Sequence, residues 1–236
     1  MKTIGLLGGM SWQSSKFYYE YLNQLVAEQL GDPHSAKILM SSVDFSEVAQ
    51  HFGSENWDAI GKLMAQEAQR LEHAGADIIV LGTNTIHLVS AYIQQSISIP
   101  FLHIASATGQ EIRAKQIKRV ALLGTRFTME KDFYTKILQE DFDLEVLIPS
   151  LSDRNYLQQL IFNELVKGVF TPVAKQRCLD IIADLAGKGA EGAILGCTEL
   201  PLLISSEEAI IPTFDTTFIH SKAAVTFSLD TALNEA

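Results

Sequence analysis

The sequence predicts an α/β fold of two pseudo-symmetric, Rossmann-like lobes with a site in the cleft between them. Three observations predict it. First, short apolar runs alternate with longer amphipathic segments, the pattern of parallel strands covered by helices. Second, one pattern occurs twice, an apolar run into Leu-Gly followed by three further residues, with threonine in the first copy where the second has cysteine: Ile79-Val80-Leu81-Gly82-Thr83-Asn84-Thr85 and Ala193-Ile194-Leu195-Gly196-Cys197-Thr198-Glu199. Third, matching features recur at a nearly constant spacing. Gly8 and Gly124 lie 116 positions apart, Thr83 and Cys197 114, and Pro100 and Pro212 112. Gly75-Ala76-Asp77 and Gly189-Ala190-Glu191 match at 114 as well. That period is too long for a solenoid and suits a duplicated lobe.

The elements follow in order. Thr3 to Leu7 is an apolar strand closed by Gly8-Gly9, and a helix starting near Trp12 to Ser15 runs to Leu30, with Gly31 as its stop. Lys37 to Val43 reads as a strand, Trp57 to Ala74 as a helix, Ile78 to Gly82 as a strand, Thr85 to Ser96 as mostly helix and Ile99 to Ile104 as a short strand. The order then restarts. Arg119 to Leu123 is a strand, Glu130 to Glu140 a helix and Leu144 to Ile148 a strand. Asn155 to Lys167 and Pro172 to Gly187 are helices, Ala193 to Gly196 and Ile211 to Phe214 strands, and Phe218 to Leu233 a closing helix. The expected division is residues 1–115 for the first lobe and 116–215 for the second, with the helix of about 216–236 packing back on the first.

Composition excludes several classes of function. The 236 residues carry 18 Lys and Arg against 28 Asp and Glu, a net charge of −10 with no basic stripe, so nucleic acid is not an expected partner. An acidic surface also disfavours anionic membranes, and no apolar run approaches the roughly 20 residues of a membrane span. The N-terminus reads directly into a strand rather than a signal peptide, so a cytoplasmic location is expected. Two cysteines are too few for a disulfide framework, and Cys178 lies within a helical pattern that suits a buried structural thiol. His34, His51, His73, His87, His103 and His220 are scattered without zinc spacing, so no metal is expected.

The chemistry-bearing residues cluster at strand ends, where open α/β sheets bind ligands. Cys197 ends its strand beside Thr198 and Glu199, which can hold a substrate ammonium or carboxylate; a thiolate is the reactive form of such a residue. Thr83 takes the same place in the first copy, followed by Asn84 and Thr85, which suit either a bound carboxylate or a helix cap. Gly8-Gly9-Met10-Ser11-Trp12 forms a strand-to-helix turn that either admits an anion to backbone N–H groups or is a plain tight turn. It lacks the G-x-G-x-x-G spacing of a dinucleotide site. Thr125 and Thr128 repeat that turn in the second half. Lys167 ends a predicted helix, where a cation also serves simply to offset the helix dipole.

Gly8-Gly9-Met10-Ser11-Trp12, Thr83-Asn84-Thr85-Ile86-His87, Glu164-Leu165-Val166-Lys167-Gly168, Gly196-Cys197-Thr198-Glu199 and Phe214-Asp215-Thr216 together resemble the aspartate/glutamate racemase superfamily over essentially the whole chain. The resemblance implies an isomerase that uses no pyridoxal phosphate or other cofactor and interconverts the enantiomers of a small amino acid, an acidic one first. It implies two acid/base groups on opposite faces of the α-carbon, one per lobe. Cys197 matches the second-lobe thiol, and Thr83 stands where the family usually has cysteine. Asn84, Thr85 and Thr198 match substrate-binding positions, Lys167 matches a carboxylate-binding residue of some aspartate racemases, and Met10, Ser11, Thr125 and Thr128 fall on turns that line the family cleft. A homodimer is also implied, although the apolar residues of Phe17 to Leu30 suit a core better than a dimer face. Three alternatives share the fold: a racemase of broader specificity, a single-thiol malonate decarboxylase, and a binding protein in which Thr83 marks lost activity.

Overall fold

The computed structural model of the chain describes residues 1–230. In chain order the first half comprises β1 (Ile4–Gly8), α1 (Trp12–Leu30), β2 (Ile38–Ser42), α2 (Phe45–Ala49), α3 (Trp57–His73), β3 (Ile78–Leu81), a 3-10 turn (Thr85–Val89), α4 (Ser90–Ser96) and β4 (Phe101–Leu102). It continues with α5 (Ile104–Ala114), β5 (Arg119–Gly124), α6 (Arg126–Glu130), α7 (Asp132–Glu140), β6 (Glu145–Leu147) and α8 (Leu151–Asn163). A second 3-10 turn (Leu165–Lys167) leads to α9 (Pro172–Gly187), β7 (Gly192–Gly196), α10 (Leu200–Leu203), β8 (Thr213–Asp215) and α11 (Thr216–Leu229). The last three residues of the tail helix read from the sequence, 231–233, lie outside the described residues.

The strands form two four-stranded parallel sheets, ordered β2-β1-β3-β4 and β6-β5-β7-β8. Their registers are the duplication made concrete. Ile4 pairs with Ile78 in the first sheet and Val120 with Gly192 in the second; Ile79 pairs with Phe101, and Ala193 with Thr213. These pairs map onto one another at the offsets of 116, 114 and 112 read from the sequence.

Each sheet belongs to its own compact unit. One unit is Met1–His103 together with the chain from His220, and the other is Ile104–Ile219. The first unit shows why its strands read as unbroken apolar runs. Ile4 and Leu6 of β1, with Ile78 and Val80 of β3, face a core built from Tyr18, Leu22, Leu25 and Val26 of α1 and Ala224 and Val225 of α11. Leu7, Ile79 and Leu81 point the other way, into a core with Ile60, Met64, Ala68 and Leu71 of α3 and Ile93 of α4. A strand buried on both faces needs apolar residues at every position. The apolar side of α1 is thus core, while Trp12 and Tyr19 of the same helix are exposed.

The unit division at His103 and Ile104 falls earlier than the expected 115/116. The segment in between is α5, which belongs to the second unit. Thr108 accepts a hydrogen bond from the Tyr134 hydroxyl at 3.3 Å, and Phe142 packs over Gly109, where a side chain would collide with its ring.

Candidate active site

In the first sheet the connections after the two central strands leave to opposite faces. After β1 the chain enters α1 on one face; after β3 it enters the 3-10 turn and α4 on the other. This is a topological switch point, where ligands enter an open α/β sheet. The residues following β1 and β3 are Met10, Ser11 and Thr83, and those following β5 and β7 are Thr125, Thr128 and Cys197.

Both β7 and the β3 run end in glycine for a steric reason. A Cβ at Gly82 would stand 3.2 Å from the Leu7 carbonyl oxygen, and one at Gly196 would stand 2.9 Å from that of Leu123. The Gly82 amide donates to the Leu7 carbonyl at 2.8 Å, so β1 and β3 stay zipped up to the last residue before Thr83. The turn after the first strand is also built alike in the two units. Ser11 caps α1 by accepting from the Ser14 amide, and Thr125 caps α6 by accepting from the Thr128 amide. Met10 and Thr128 are buried, and the Gly9 amide donates to Ser15 Oγ at 2.8 Å.

The second-unit site centres on a buried thiol. Cys197 Sγ donates to Glu199 Oε2 at 3.0 Å, and the Thr198 hydroxyl donates to the same oxygen at 2.8 Å. Burial first, then the Glu199 charge and that hydrogen bond, push the thiol well above its usual range; amides of Glu199 and Leu200 pull weakly the other way. Thr216 donates to the Leu195 carbonyl at 3.0 Å, pinning the start of α11 to the end of β7. Asp215 accepts from the Thr217 amide at 2.8 Å and the Phe218 amide at 3.2 Å, while burial raises its carboxyl.

The first-unit site is built on Thr83, Asn84 and Thr85, all buried. Asn84 stands at the N-cap of the 3-10 turn without a side-chain capping bond, so capping is not what its side chain does. Behind Thr83 lies a cluster that the scattered histidines of the sequence do not announce. His87 Nδ1 meets the Thr83 carbonyl at 2.7 Å, and its ring centroid is 4.5 Å from that of His103 and 5.8 Å from that of His220. A carbonyl only accepts, so His87 Nδ1 donates. By the same logic His220 Nε2 donates to the Leu102 carbonyl at 3.0 Å, and its Nδ1 accepts from the Tyr18 hydroxyl at 2.9 Å. Burial lowers all three histidines: His87 well below its usual value, His103 to about 4 and His220 to about 3. Among the described residues no set of three or more His, Cys, Asp or Glu is placed to hold a metal ion.

Within the second unit the structure brings together Cys197, Thr198 and Glu199 and places Thr125 and Thr128 after the neighbouring strand. Lys167 is exposed on the second 3-10 turn rather than at an α-helix end. Cys178 is fully buried in α9, with its thiol pushed up to about 12 by burial.

Residues 7–224 match the Asp/Glu/hydantoin racemase family, and the chain belongs to it. Among its relatives, the broad specificity amino-acid racemase RacX of Bacillus subtilis is 29% identical over 171 residues, covering 71% of this chain and 72% of RacX. A putative Asp/Glu racemase from Yersinia pestis has a crystal structure that is 42% identical, with TM-score 0.92, and covers 98% of this chain and 100% of that one. An aspartate racemase homologue from Pyrococcus horikoshii is 33% identical at TM-score 0.86, again over 98% and 100% of the two chains. The chain spans about half the length of the glutamate racemases it also matches. Its relatives are racemases, which places it among the isomerases. Among the described residues no helix is long and apolar enough to cross a membrane.

Proposed function

We propose that the protein racemises an acidic amino acid, L-aspartate or L-glutamate first, without a cofactor, using Cys197 and Thr83 as the acid/base groups on opposite faces of the α-carbon. Inversion needs a proton removed from one face and one delivered to the other. The observation that carries the reading is the equivalence of the two residues. Each directly follows a glycine that closes a central strand, at matching register in its own sheet. Ser11, Asn84 and Thr85 in one unit, and Thr125, Thr128 and Thr198 in the other, supply hydroxyl and amide groups for the substrate's ammonium and carboxylates. Met10 contributes an apolar wall, and Lys167 is the cation proposed for a carboxylate. The similarity to RacX favours a second reading, activity on neutral amino acids as well. Both free thiols suit a reducing compartment.

The test is chiral chromatography after incubating the protein with single L-amino acids. Appearance of D-aspartate or D-glutamate, abolished in Cys197→Ala, supports the acidic reading. Turnover of neutral amino acids alone shifts it to the broad one. Carbon dioxide released from a malonate, with no D-amino acid formed, overturns both.

A further inference from the structure

The geometry points to Glu199 as the internal proton acceptor of Cys197: the thiolate that starts the reaction is made by moving the Sγ proton onto Glu199 Oε2, not by releasing it to water. The inference rests on the racemase reading and gives Glu199 a task beyond holding substrate. Glu199 is buried, and one of its oxygens accepts both the Cys197 thiol and the Thr198 hydroxyl, at 3.0 and 2.8 Å. Both donors point at Oε2, so a lone pair of that oxygen faces the Sγ proton, and the proposed resting pair is a thiol beside a carboxylate. Thr198 is adjacent in sequence, and its hydroxyl aims Oε2 at the sulfur.

In the step itself the S–H bond breaks with its electron pair left on sulfur, and an O–H bond forms from a carboxylate lone pair. The dyad carries one negative charge before and after. This matters because a buried thiol beside a carboxylate gives up a second unit of negative charge to its site only at high pH, and burial with the Glu199 charge pushes Cys197 in that direction. Transfer within the pair avoids that cost. The amides of Glu199 and Leu200 then favour the sulfur anion. Other ionisable groups at the flanking strand ends are already engaged: Asp215 at the end of β8 with two amides, and Arg126 after β5 with Glu130 at 3.3 Å.

A pair that holds one proton throughout has a distinctive pH profile. The balance between its two forms does not depend on pH while the total stays at one proton. The α-proton exchange rate of L-aspartate or L-glutamate in D2O is therefore expected to be flat between about pH 6 and 8. In Glu199→Gln the thiolate can arise only by loss to solvent, so the rate falls and climbs about tenfold per pH unit. Glu199→Asp keeps a carboxylate and is expected to restore the flat profile at reduced rate, which a purely structural glutamate would not require. A wild-type rate that climbs with pH as steeply as that of Glu199→Gln overturns the proposal. A second arm needs no turnover: iodoacetamide labelling of Cys197, read by peptide mass spectrometry so that Cys178 is counted separately. Labelling is expected to be independent of pH between about pH 6 and 8 in the wild type and, in Glu199→Gln, to start from a lower rate and climb about tenfold per pH unit; a wild-type labelling rate that climbs as steeply overturns the dyad. If the wild type exchanges no α-proton, the racemase reading fails while labelling still decides whether Glu199 governs the thiol proton.

Discussion

At the scale of single residues, the two proposed acid/base positions, Cys197 and Thr83, are unequal by chemistry. A thiol has a reference pKa near 8.5, whereas an alkyl hydroxyl is a far weaker acid and works as a proton relay only with help from a neighbour or water. Cys197→Ala is expected to lower racemisation by about a thousandfold or more, since general acid–base groups contribute about 10²–10⁴. Thr83→Ala is expected to cost less, about a hundredfold, if water takes over part of the relay. Steady-state assays in both directions check the pair, and circular dichroism checks that each variant is folded. The inequality does not make the enzyme one-way. Free enantiomers in water have equal energy, so kcat/KM must be equal in the two directions; only kcat and KM separately can differ.

At the scale of elements, the sites depend on how closely neighbouring strands approach. Gly196→Ala puts a methyl group 2.9 Å from the Leu123 carbonyl oxygen, with Thr128 also close, whereas Gly82→Ala meets Leu7 at 3.2 Å. Both are expected to destabilise, Gly196→Ala by the larger amount, about 1–3 kcal/mol, and with the larger loss of activity because Cys197 is the next residue. Urea unfolding of the two variants gives the order directly. The caps offer a gentler probe: Thr125→Ala is expected to cost about 1 kcal/mol.

The central strands were legible because burial on both faces demands continuous apolar sequence, and the repeat was legible because duplicated sheets keep one register. Pro172–Gly187 was legible as a helix because Thr171 caps it and proline opens it. Other segments were not. α5 is rich in alanine and contains Gly109, which is retained because Phe142 packs over it, a contact 33 residues away that no local pattern reports. Thr85–Ser96 reads as mostly helix, but the 3-10 form of its first turn, with His87 turned back onto the Thr83 carbonyl, does not show in the sequence. α2 and α10, of five and four residues, are too short to show a period. At the site, the positions of Cys197 and Thr83 were readable from the repeated phrase. The aim of Glu199 at the sulfur and the meeting of three histidines were not, because side-chain direction and long-range convergence leave no mark in local sequence.

At the scale of the whole molecule, the buried histidines tie stability to acid. In the unfolded chain a histidine takes up a proton near pH 6.5, whereas His103 and His220 resist protonation until about pH 4 and 3. The unfolded state therefore binds more protons as pH falls below about 6.5, and stability drops by up to about 1 kcal/mol per pH unit for each such group until the folded-state values are reached. Urea midpoints measured from about pH 7 to 4 are expected to fall, and to fall less steeply in His103→Gln. Equal slopes in the two proteins would remove that histidine from the account.

The most direct test of the central claim is proton NMR of L-aspartate and L-glutamate incubated with the protein in D2O, read for both α-deuterium and configuration. Racemisation through Cys197 is expected to bring deuterium in together with inversion, with both lost in Cys197→Ala. Deuterium entry that persists in Cys197→Ala would contradict it.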